Sequence, residues 1–495
     1  MLLKIMERFS AQAGRLIDTS RSISSYRLDH SKNSRLSILL AITLCLGLGL
    51  YSFYFRTFQV SEHFHLLGDQ IRDWDWAVKP FKELPNVGTP TSKGGYCWGP
   101  IFYWTLWLIR ITVGKHYHNL PHAGGIGLAG IHAAADALLL LAILKKGVPI
   151  ATALAAMLAL ASSPFEASLS GTIWNPGLAV SFVELATAAF LIIPNSHSLF
   201  RTFLATMLAW LAVQCHTQAI FFALGLMLYL VLDALIDTGV RAALIRLVMI
   251  AAVISVLQIP YFADIGKRPD ASQEQLSIVS GSFATLVSAP QSIHPYSSFT
   301  YLTDSMRELF HFPLGRSLII IIFGLAIAGI ISNYQSHKDI LAVSLIPLLL
   351  AWIGYSFLLI GMPDTYWFMN LMTPFMLLVV FGCFQSSFVV LRKASPLCGV
   401  LLLFLMIAVQ PGRLAERAKL VSYPYYGAVV RGAEEIVRNG DAVRSVIPPN
   451  FVNKSEPVYL VKWLGGRVDE RASLIAIIGE DGRVTYQRIQ DEPLK

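Results

Sequence analysis

The chain has 495 residues and a formal net charge of +8, is 55% hydrophobic and carries only 14% charged residues. Soluble domains average about 25% charged residues, so this composition excludes an ordinary soluble protein. Apolar runs of about 18 residues or more recur along most of the length, as in a polytopic α-helical membrane protein. In such a chain basic excess marks cytoplasmic loops and lipid headgroups, not nucleic acid.

Residues 1–35 hold seven basic residues (Lys4, Arg8, Arg15, Arg21, Arg27, Lys32 and Arg35) against Glu7, Asp18 and Asp29, which places the N-terminus in the cytoplasm. MLLKIMERFSAQAGRLI has apolar residues at helical spacing and reads as an inner-surface helix or as a basic tail. No short n-region or small-residue cleavage site precedes the first apolar run, so no cleavable signal peptide is expected. The first span, Leu36–Phe58, delivers GDQIRDWDW to the outer face. GPIFYWTLWLIRITVG (99–114) is short, aromatic and carries Arg110, so it is expected to lie in the outer interface without crossing. Ala123–Leu144 then runs inward and sets Lys145 and Lys146 in the cytoplasm.

Further spans are expected at 148–163, 176–194, 200–215, 218–235, 247–262, 317–333, 339–361, 366–390 and 397–410, alternating in direction. Arg201, Arg241, Arg246, Lys338, Arg392 and Lys393 then fall at cytoplasmic turns. The outcome is about eleven spans, with the N-terminus inside and the C-terminus outside. Residues 36–410 form the membrane domain, with long outer segments at 59–122 and 263–316. Residues 411–495 read as a small soluble α+β domain on the outer side. There, PYYGAVVRGAEEIVRNG is a helix ending at Gly440, and PVYLVKWL, ASLIAIIG and RVTYQRI are strands, the last two joined by a GEDGR hairpin. The five cysteines (Cys45, Cys97, Cys215, Cys383 and Cys398) are scattered, with neither metal spacing nor a disulfide framework.

GDQIRDW, followed by GTPTSKGGYCWGPIFYW, resembles the GT-C superfamily of integral membrane glycosyltransferases. The likeness is to bacterial members related to protein O-mannosyltransferases and to the lipid A aminoarabinose transferase. They carry an Asp-Glu or Asp-Gln pair just past the first span, followed by a Pro-Thr/Ser-Ser-x-Gly-Gly…Gly-Pro-aromatic stretch. Here that stretch is Pro90, Thr91, Ser92, Lys93, Gly94 and Gly95, then Gly99, Pro100, Phe102 and Tyr103. WNPG (174–177) and PDTYWFMNLMTP (363–374) resemble later family segments. The resemblance implies a GT-C-like membrane fold in a bacterial inner membrane, and an inverting transfer of a sugar from a polyprenyl-phosphate donor to an acceptor hydroxyl at the outer face. The acceptor, whether lipid, protein or another glycan, stays open.

That reaction needs a base for the hydroxyl and positive charge for the departing phosphate. Asp69 matches the first acidic position of the motif and is the expected base. Asp73, four residues on, shares its helix face as catalytic partner, whereas Asp75 lies off that face and is expected to be solvated. Lys93 or Arg72 is expected to meet the donor phosphate, and Arg110 to snorkel to headgroups. Asn175, His216, Gln218, Tyr366 and Trp367 are candidates for lining the same cavity, with Gln214 and Asp364 beside them. Gln70 replaces the family's frequent second carboxylate, so dependence on a divalent metal ion stays open and no other cofactor is implied. Glu184, alone in a span, reads as paired across helices or protonated. KHYHNLPH (His116, His118 and His122) has an H-x-H-x3-H spacing but reads as headgroup-level histidines. Two other functions compete. A polyprenyl-linked glycan polymerase or ligase would use His294, Arg307 and His311 in a late outer loop. A lipid or solute transporter would show internal repeats and midplane charges.

Overall fold

The computed structural model describes residues 34–91, 94–195, 198–268, 295–311, 316–332, 334–357, 364–384, 389–420, 425–449 and 456–489. The N-terminal basic segment, Ser92, Lys93 and His294 therefore lie outside the described residues.

The first apolar run forms α1 (Ser34–Thr57). The acidic stretch forms a ten-residue helix, α2 (Gly68–Ala77), and the aromatic stretch a twelve-residue helix, α3 (Ile101–Thr112), too short to cross a bilayer. The bundle continues as α4 (His122–Lys145), α5 (Ile150–Ala161), α6 (Pro164–Ser170), α7 (Asn175–Ile192), α8 (Ser198–Cys215), α9 (Ile220–Asp237) and α10 (Val240–Ile265). After α11 (Pro295–Leu309) come α12 (Arg316–Ser332), α13 (Tyr334–Val343), α14 (Leu345–Phe357), α15 (Met372–Val379) and α16 (Val389–Leu420).

Nine helices among the described residues are long and apolar enough to cross a membrane, or ten if the bent pair α5–α6 is one span. The expected count of about eleven needs the shorter apolar helix Ile319–Ile331 as well. The α5–α6 pair bends by 58°. Pro164 brings no N–H at that point, and the Ser163 hydroxyl accepts from the Glu166 N–H at 3.1 Å, starting a new helix. Carbonyls freed by a break inside a membrane need donors. Arg413 of α16 supplies them, reaching the carbonyls of Ala159 (3.1 Å) and Ser162 (3.2 Å).

Polar contacts sort the helix ends into two sets. At one end Asp339 pairs with Lys146 (3.1 Å) and Arg201 (3.0 Å), Asp233 pairs with Arg246 (3.1 Å) and Lys338 (3.3 Å), and Lys145 donates to the Ile192 carbonyl (2.8 Å). These residues come from the ends of α4, α7, α8, α9, α10 and α13, as alternating spans require. Of the basic residues expected to share a side, Lys145, Lys146, Arg201, Arg246 and Lys338 thus share an end. The opposite end carries α2, α3 and the C-terminal unit.

Two readings of that unit need correction. Helix α16 runs to Leu420, past the span expected to end at 410. Its late turns look soluble, but Arg413 and Arg417 are buried and spend their guanidinium groups on main-chain carbonyls, Arg417 on those of Arg56 and Phe58. PVYLVKWL is not a strand but α18 (Glu456–Trp463). Its short apolar run suits either period. The helix wins by turning Leu460 and Val461 inward and stacking Tyr459 on Trp463, one turn later, at 5.7 Å. The helix ending at Gly440 and the last two strands form where they were expected, while the short strands β1, β2 and β3 are additional. Helix α17 (Tyr426–Asn439) ends at Gly440, whose φ of 71° is the left-handed cap that glycine adopts without strain. Strands β1 (Ala442–Val443) and β3 (Arg467–Val468) pair in parallel. In a second sheet β4 (Leu474–Ile478) lies between parallel β2 (Ser445–Ile447) and antiparallel β5 (Val484–Arg488), the β4–β5 hairpin turning at Gly482. The unit docks on the membrane domain: the Gly427 N–H donates to the Glu62 carbonyl (3.3 Å), the Tyr426 hydroxyl meets His122 Nδ1 (3.0 Å) and Lys462 faces Asp75 (3.6 Å).

Candidate active site

Helix α2 starts at Leu67, whose N–H donates to the Gln70 side chain at 3.1 Å. Gln70 therefore caps the helix, work that its neutral amide does without adding charge. One face of α2 is apolar and buries Ile71, Trp74 and Ala77, with the Trp74 indole donating to the Asn119 carbonyl at 2.8 Å. Locking that face rolls the acidic residues into different environments. Asp69, in the first turn, stays exposed. Asp73 is fully buried against α3. Asp75 is half-buried between Lys79 (3.8 Å) and Lys462 of α18 (3.6 Å), so it ties down the C-terminal unit and is not merely solvated.

Arg72 joins the first two carboxylates, with Nη1 on Asp69 Oδ1 and Nε on Asp73 Oδ1, both at 2.8 Å. The Tyr103 hydroxyl of α3 donates to the same Asp73 oxygen at 3.1 Å. Asp73 Oδ2 is buried and has no hydrogen-bond partner. Burial pushes the Asp73 carboxyl up to about 6, although Arg72 and the Tyr103 hydroxyl favour its charged form. Burial also pushes the Tyr103 phenol above its usual range. For Arg72 burial opposes the charge, but Asp73 overrides it and holds the guanidinium above its ordinary value. The sequence named Tyr103 only as part of a motif. Its partnership with Asp73 needs the α2–α3 crossing, which spacing does not reveal.

The loop between α2 and α3 forms a tight hairpin. Pro90 bridges Tyr96, and the Thr91 N–H and the Gly95 carbonyl meet at 3.0 Å. Gly94 and Gly95 turn it with φ of 95° and 68°, a run only glycine adopts freely. Behind it Cys97 is buried, its thiol pushed up to about 11. It faces Thr89 (3.5 Å) and Asn175 (3.8 Å) and feels the charges of Asp73 and Arg72, so it lies between α2 and the second polar group.

That second group gathers most of the remaining candidates. Asn175 opens α7 and donates to the Cys215 carbonyl at 2.7 Å, closing the end of α8. Next in chain, His216 is buried, with Nδ1 3.1 Å from the Asn370 amide nitrogen. Burial pushes this imidazole down to about 4. It is therefore neutral at pH 7, with Nδ1 accepting from Asn370 and the proton assigned to Nε2. The Tyr366 ring lies 5.1 Å from Trp174, 6.0 Å from His216 and 6.3 Å from the buried Trp367. Gln218 is turned away and accepts from the Tyr355 hydroxyl of α14 at 3.0 Å. Gln214 likewise binds the Leu257 carbonyl (2.7 Å) and Gln258 (3.1 Å) of α10. The three histidines of KHYHNLPH do not converge: His116 and His118 are exposed, while the buried His122 is held by Tyr426. Arg110 is half-buried on α3. Of the late-loop candidates, Arg307 and His311 are exposed beside α11.

Two further features lie within the helical bundle. An apolar cavity of about 280 Å³ is lined by Ala156, Ile319, Ile322, Phe375, Val379 and Met406 among others. Separately, Glu184 does not stand alone. It belongs to a fully buried cluster with Arg56, His132, Asp136 and Glu166, drawn from α1, α4, α6 and α7. His132 and Asp136 share a face of α4 at i, i+4 spacing, but Arg56, Glu166 and Glu184 come from other helices far away in sequence, so spacing showed only that one pair.

Comparison with known proteins adds the fold. No protein-family model and no curated sequence matches the chain. Among solved structures, ArnT from Cupriavidus metallidurans bound to undecaprenyl phosphate is similar, with a TM-score of 0.53 and 10% identity, over 88% of this chain and 92% of that one. The apo state of the same protein gives 0.54 and 12% over the same shares. The likeness spans most of both chains, so this chain shares the fold of that protein.

Proposed function

We infer that this protein transfers a sugar from a polyprenyl-phosphate donor to an acceptor hydroxyl at the membrane surface on the α2 side. The observation that carries the reading is the Asp69–Arg72–Asp73–Tyr103 constellation just past the first span of a GT-C fold. A related fold has been solved with undecaprenyl phosphate, which supports a donor of that class. A lipid-linked donor keeps its tail in the bilayer, so its phosphate can only reach groups at a helix end. The apolar cavity among α5, α12, α15 and α16 offers volume for part of such a chain.

In this reading Asp69 is the base. Its carboxylate is exposed, so an acceptor can reach it, and Arg72 fixes its orientation. It takes the acceptor proton as the hydroxyl oxygen attacks the anomeric carbon from the face opposite the phosphate, and the lipid phosphate leaves with the bonding pair, inverting that centre. Asp73 holds Arg72 in place from below. Arg72 has five N–H donors, so after its two carboxylate bonds it retains capacity for the leaving phosphate. Lys93, outside the described residues, remains the second candidate for that charge. A divalent metal at Asp69 is not required by the charge balance, because Arg72 already stands between the two carboxylates. The aromatic group of Trp174 and Tyr366 offers a face to the sugar ring. The positive-inside rule favours a reading with Lys146, Arg201 and Lys338 in the cytoplasm and α2 and the C-terminal unit outside.

The test is transfer of labelled sugar from polyprenyl-phosphate donors to membranes. Asp69→Asn should lose about 10²–10⁴-fold in rate, the span of general-base catalysis. Its stability should hardly change, because Asp69–Arg72 is an exposed pair. Full activity in Asp69→Asn removes the base. Transfer without any polyprenyl donor removes the class.

A further inference from the structure

The buried cluster beneath the outer site has the chemistry of a cation site. His132 and Asp136 lie one turn apart on α4, Glu184 comes from α7 and Glu166 from α6. His132 Nδ1 is 3.4 Å from Glu166 Oε1 and its Nε2 is 3.6 Å from Glu184 Oε2. One atom each of His132, Asp136 and Glu184 fall within 4.8 Å of one another, the one such three-residue grouping among the described residues. All five members, Arg56 included, are at most 1% exposed.

Charge is the first argument. Three carboxylates face a single guanidinium, that of Arg56, in a site without solvent. No other buried arginine pairs with them, since Arg413 and Arg417 bind main-chain carbonyls and Arg201 pairs with Asp339. Buried carboxylates at this density either keep protons or coordinate a metal. A divalent cation that displaces those protons would match the ionised cluster.

Hydrogen bonding is the second argument, and it is independent. Arg56 and Ser52 pin one oxygen of each outer carboxylate. Arg56 Nη2 holds Glu166 Oε2 at 2.6 Å, Arg56 Nη1 lies 3.4 Å from Asp136 Oδ2, and the Ser52 hydroxyl donates to that oxygen at 2.6 Å. The inner oxygens, Asp136 Oδ1 and Glu166 Oε1, have no partner at hydrogen-bond distance, nor does either oxygen of Glu184, although the Thr373 hydroxyl lies near that carboxyl. Neither ring nitrogen of His132 makes a hydrogen bond, although the Gly177 backbone lies near the ring. Carboxylates held from behind, with their free atoms converging on an imidazole, reproduce the outer-shell support that orients metal ligands. With metal–ligand bonds of about 2.0–2.2 Å, two ligands of one tetrahedral ion lie about 3.4 Å apart, close to the 3.6 Å between His132 Nε2 and Glu184 Oε2.

We propose that His132, through Nε2, with Asp136 and Glu184 binds one divalent cation of the first transition row, while Glu166 on the Nδ1 side orients the imidazole. One imidazole with carboxylates suits Zn²⁺ or Mn²⁺ and disfavours a soft thiophilic ion. The cation ties α4 and α7 together, with Arg56 of α1 and Glu166 of α6 as the outer support. The proposal does not depend on the sugar-transfer reading, and its test does not use activity.

The test uses full-length protein without a polyhistidine tag, purified in detergent, stripped with chelator, reloaded with Zn²⁺ or Mn²⁺ and desalted. The expected result is about one equivalent of metal per chain by elemental analysis, and a chelator-sensitive rise in thermal stability. Glu184→Gln and His132→Ala should each lower metal affinity at least about tenfold. His116→Ala/His118→Ala, on the exposed loop, should retain the full equivalent. X-ray absorption on the wild-type protein, which needs no variant, should show nitrogen and oxygen ligands only. Absence of bound metal, sulfur in the coordination shell, or loss of the metal with the exposed histidines would each overturn the site.

Discussion

Replacing Asp73 by asparagine tests whether the site spends stability on function. Burial lifts this carboxyl from its ordinary 3.8 to about 6. At 1.36 kcal/mol per pH unit, ionising it in the folded protein costs about 3 kcal/mol more than in the unfolded chain. The sign follows from linkage. Between about 4 and 6 the folded state holds the proton and the unfolded state does not, so stability is full below about 4 and falls as pH rises through about 6. Asparagine keeps the shape, still accepts from Arg72 and Tyr103, and carries no charge. Asp73→Asn should therefore flatten the pH dependence of thermal unfolding across that window. At pH 7 it should be more stable than wild type, by up to about 3 kcal/mol. Activity should move the other way, because a neutral amide at this position no longer anchors Arg72 electrostatically between two carboxylates. The assays are unfolding in detergent at pH 4–8, beside sugar transfer at pH 7. A variant that is less stable at pH 7, or whose pH dependence matches wild type, would refute the assignment of a costly ionised Asp73. A variant that is more stable yet fully active would refute its link to function.

Tyr103→Phe removes the hydroxyl that donates to Asp73 Oδ1. The acid limb of activity should move above pH 6, since one stabiliser of the charged form is gone, and stability at pH 7 should fall by about 1–2 kcal/mol, both read from pH–rate and unfolding curves. Tyr366→Ala should raise KM for the donor with a smaller change in kcat, whereas Tyr366→Phe should stay near wild type; equal effects of both would remove the ring-stacking role. Gly440→Ala forces a side chain into the left-handed cap at φ 71° and should cost about 1 kcal/mol in unfolding of the C-terminal unit, without altering transfer by the membrane domain.

Much of the fold was legible because the bilayer imposes one-dimensional rules. Span length and basic turns placed Lys146, Arg201 and Lys338 on one side before any contact was known, and all three converge on Asp233 and Asp339. The aromatic α3 was distinguishable from a span by its short length, aromatic content and Arg110 taken together. What failed was where a local pattern had two solutions. PVYLVKWL satisfies both periods, and only burial against α17 and the sheets selects the helix. The late turns of α16 carry arginines that look exposed, yet broken and ending helices nearby needed donors for their carbonyls.

The candidate site divides along the same line. Asp69 and Asp73 share a face by spacing, and Arg72 does join them. Their inequality was not legible, because it depends on which face α2 buries against α3, and that is settled by Trp74 and Tyr103 across thirty residues of loop and helix. Asn175 also donates to the Cys215 carbonyl, a contact its motif does not reveal, and His216 beside it meets Asn370, about 150 residues away. Glu184 is the extreme case. A lone carboxylate in a span predicts a partner but not which one, and its actual surroundings draw on α1, α4 and α6 at once. A polar group inside a membrane is thus the feature whose presence sequence marks best and whose purpose it marks least, since the compensating charges are chosen by helix association and not by neighbours in the chain.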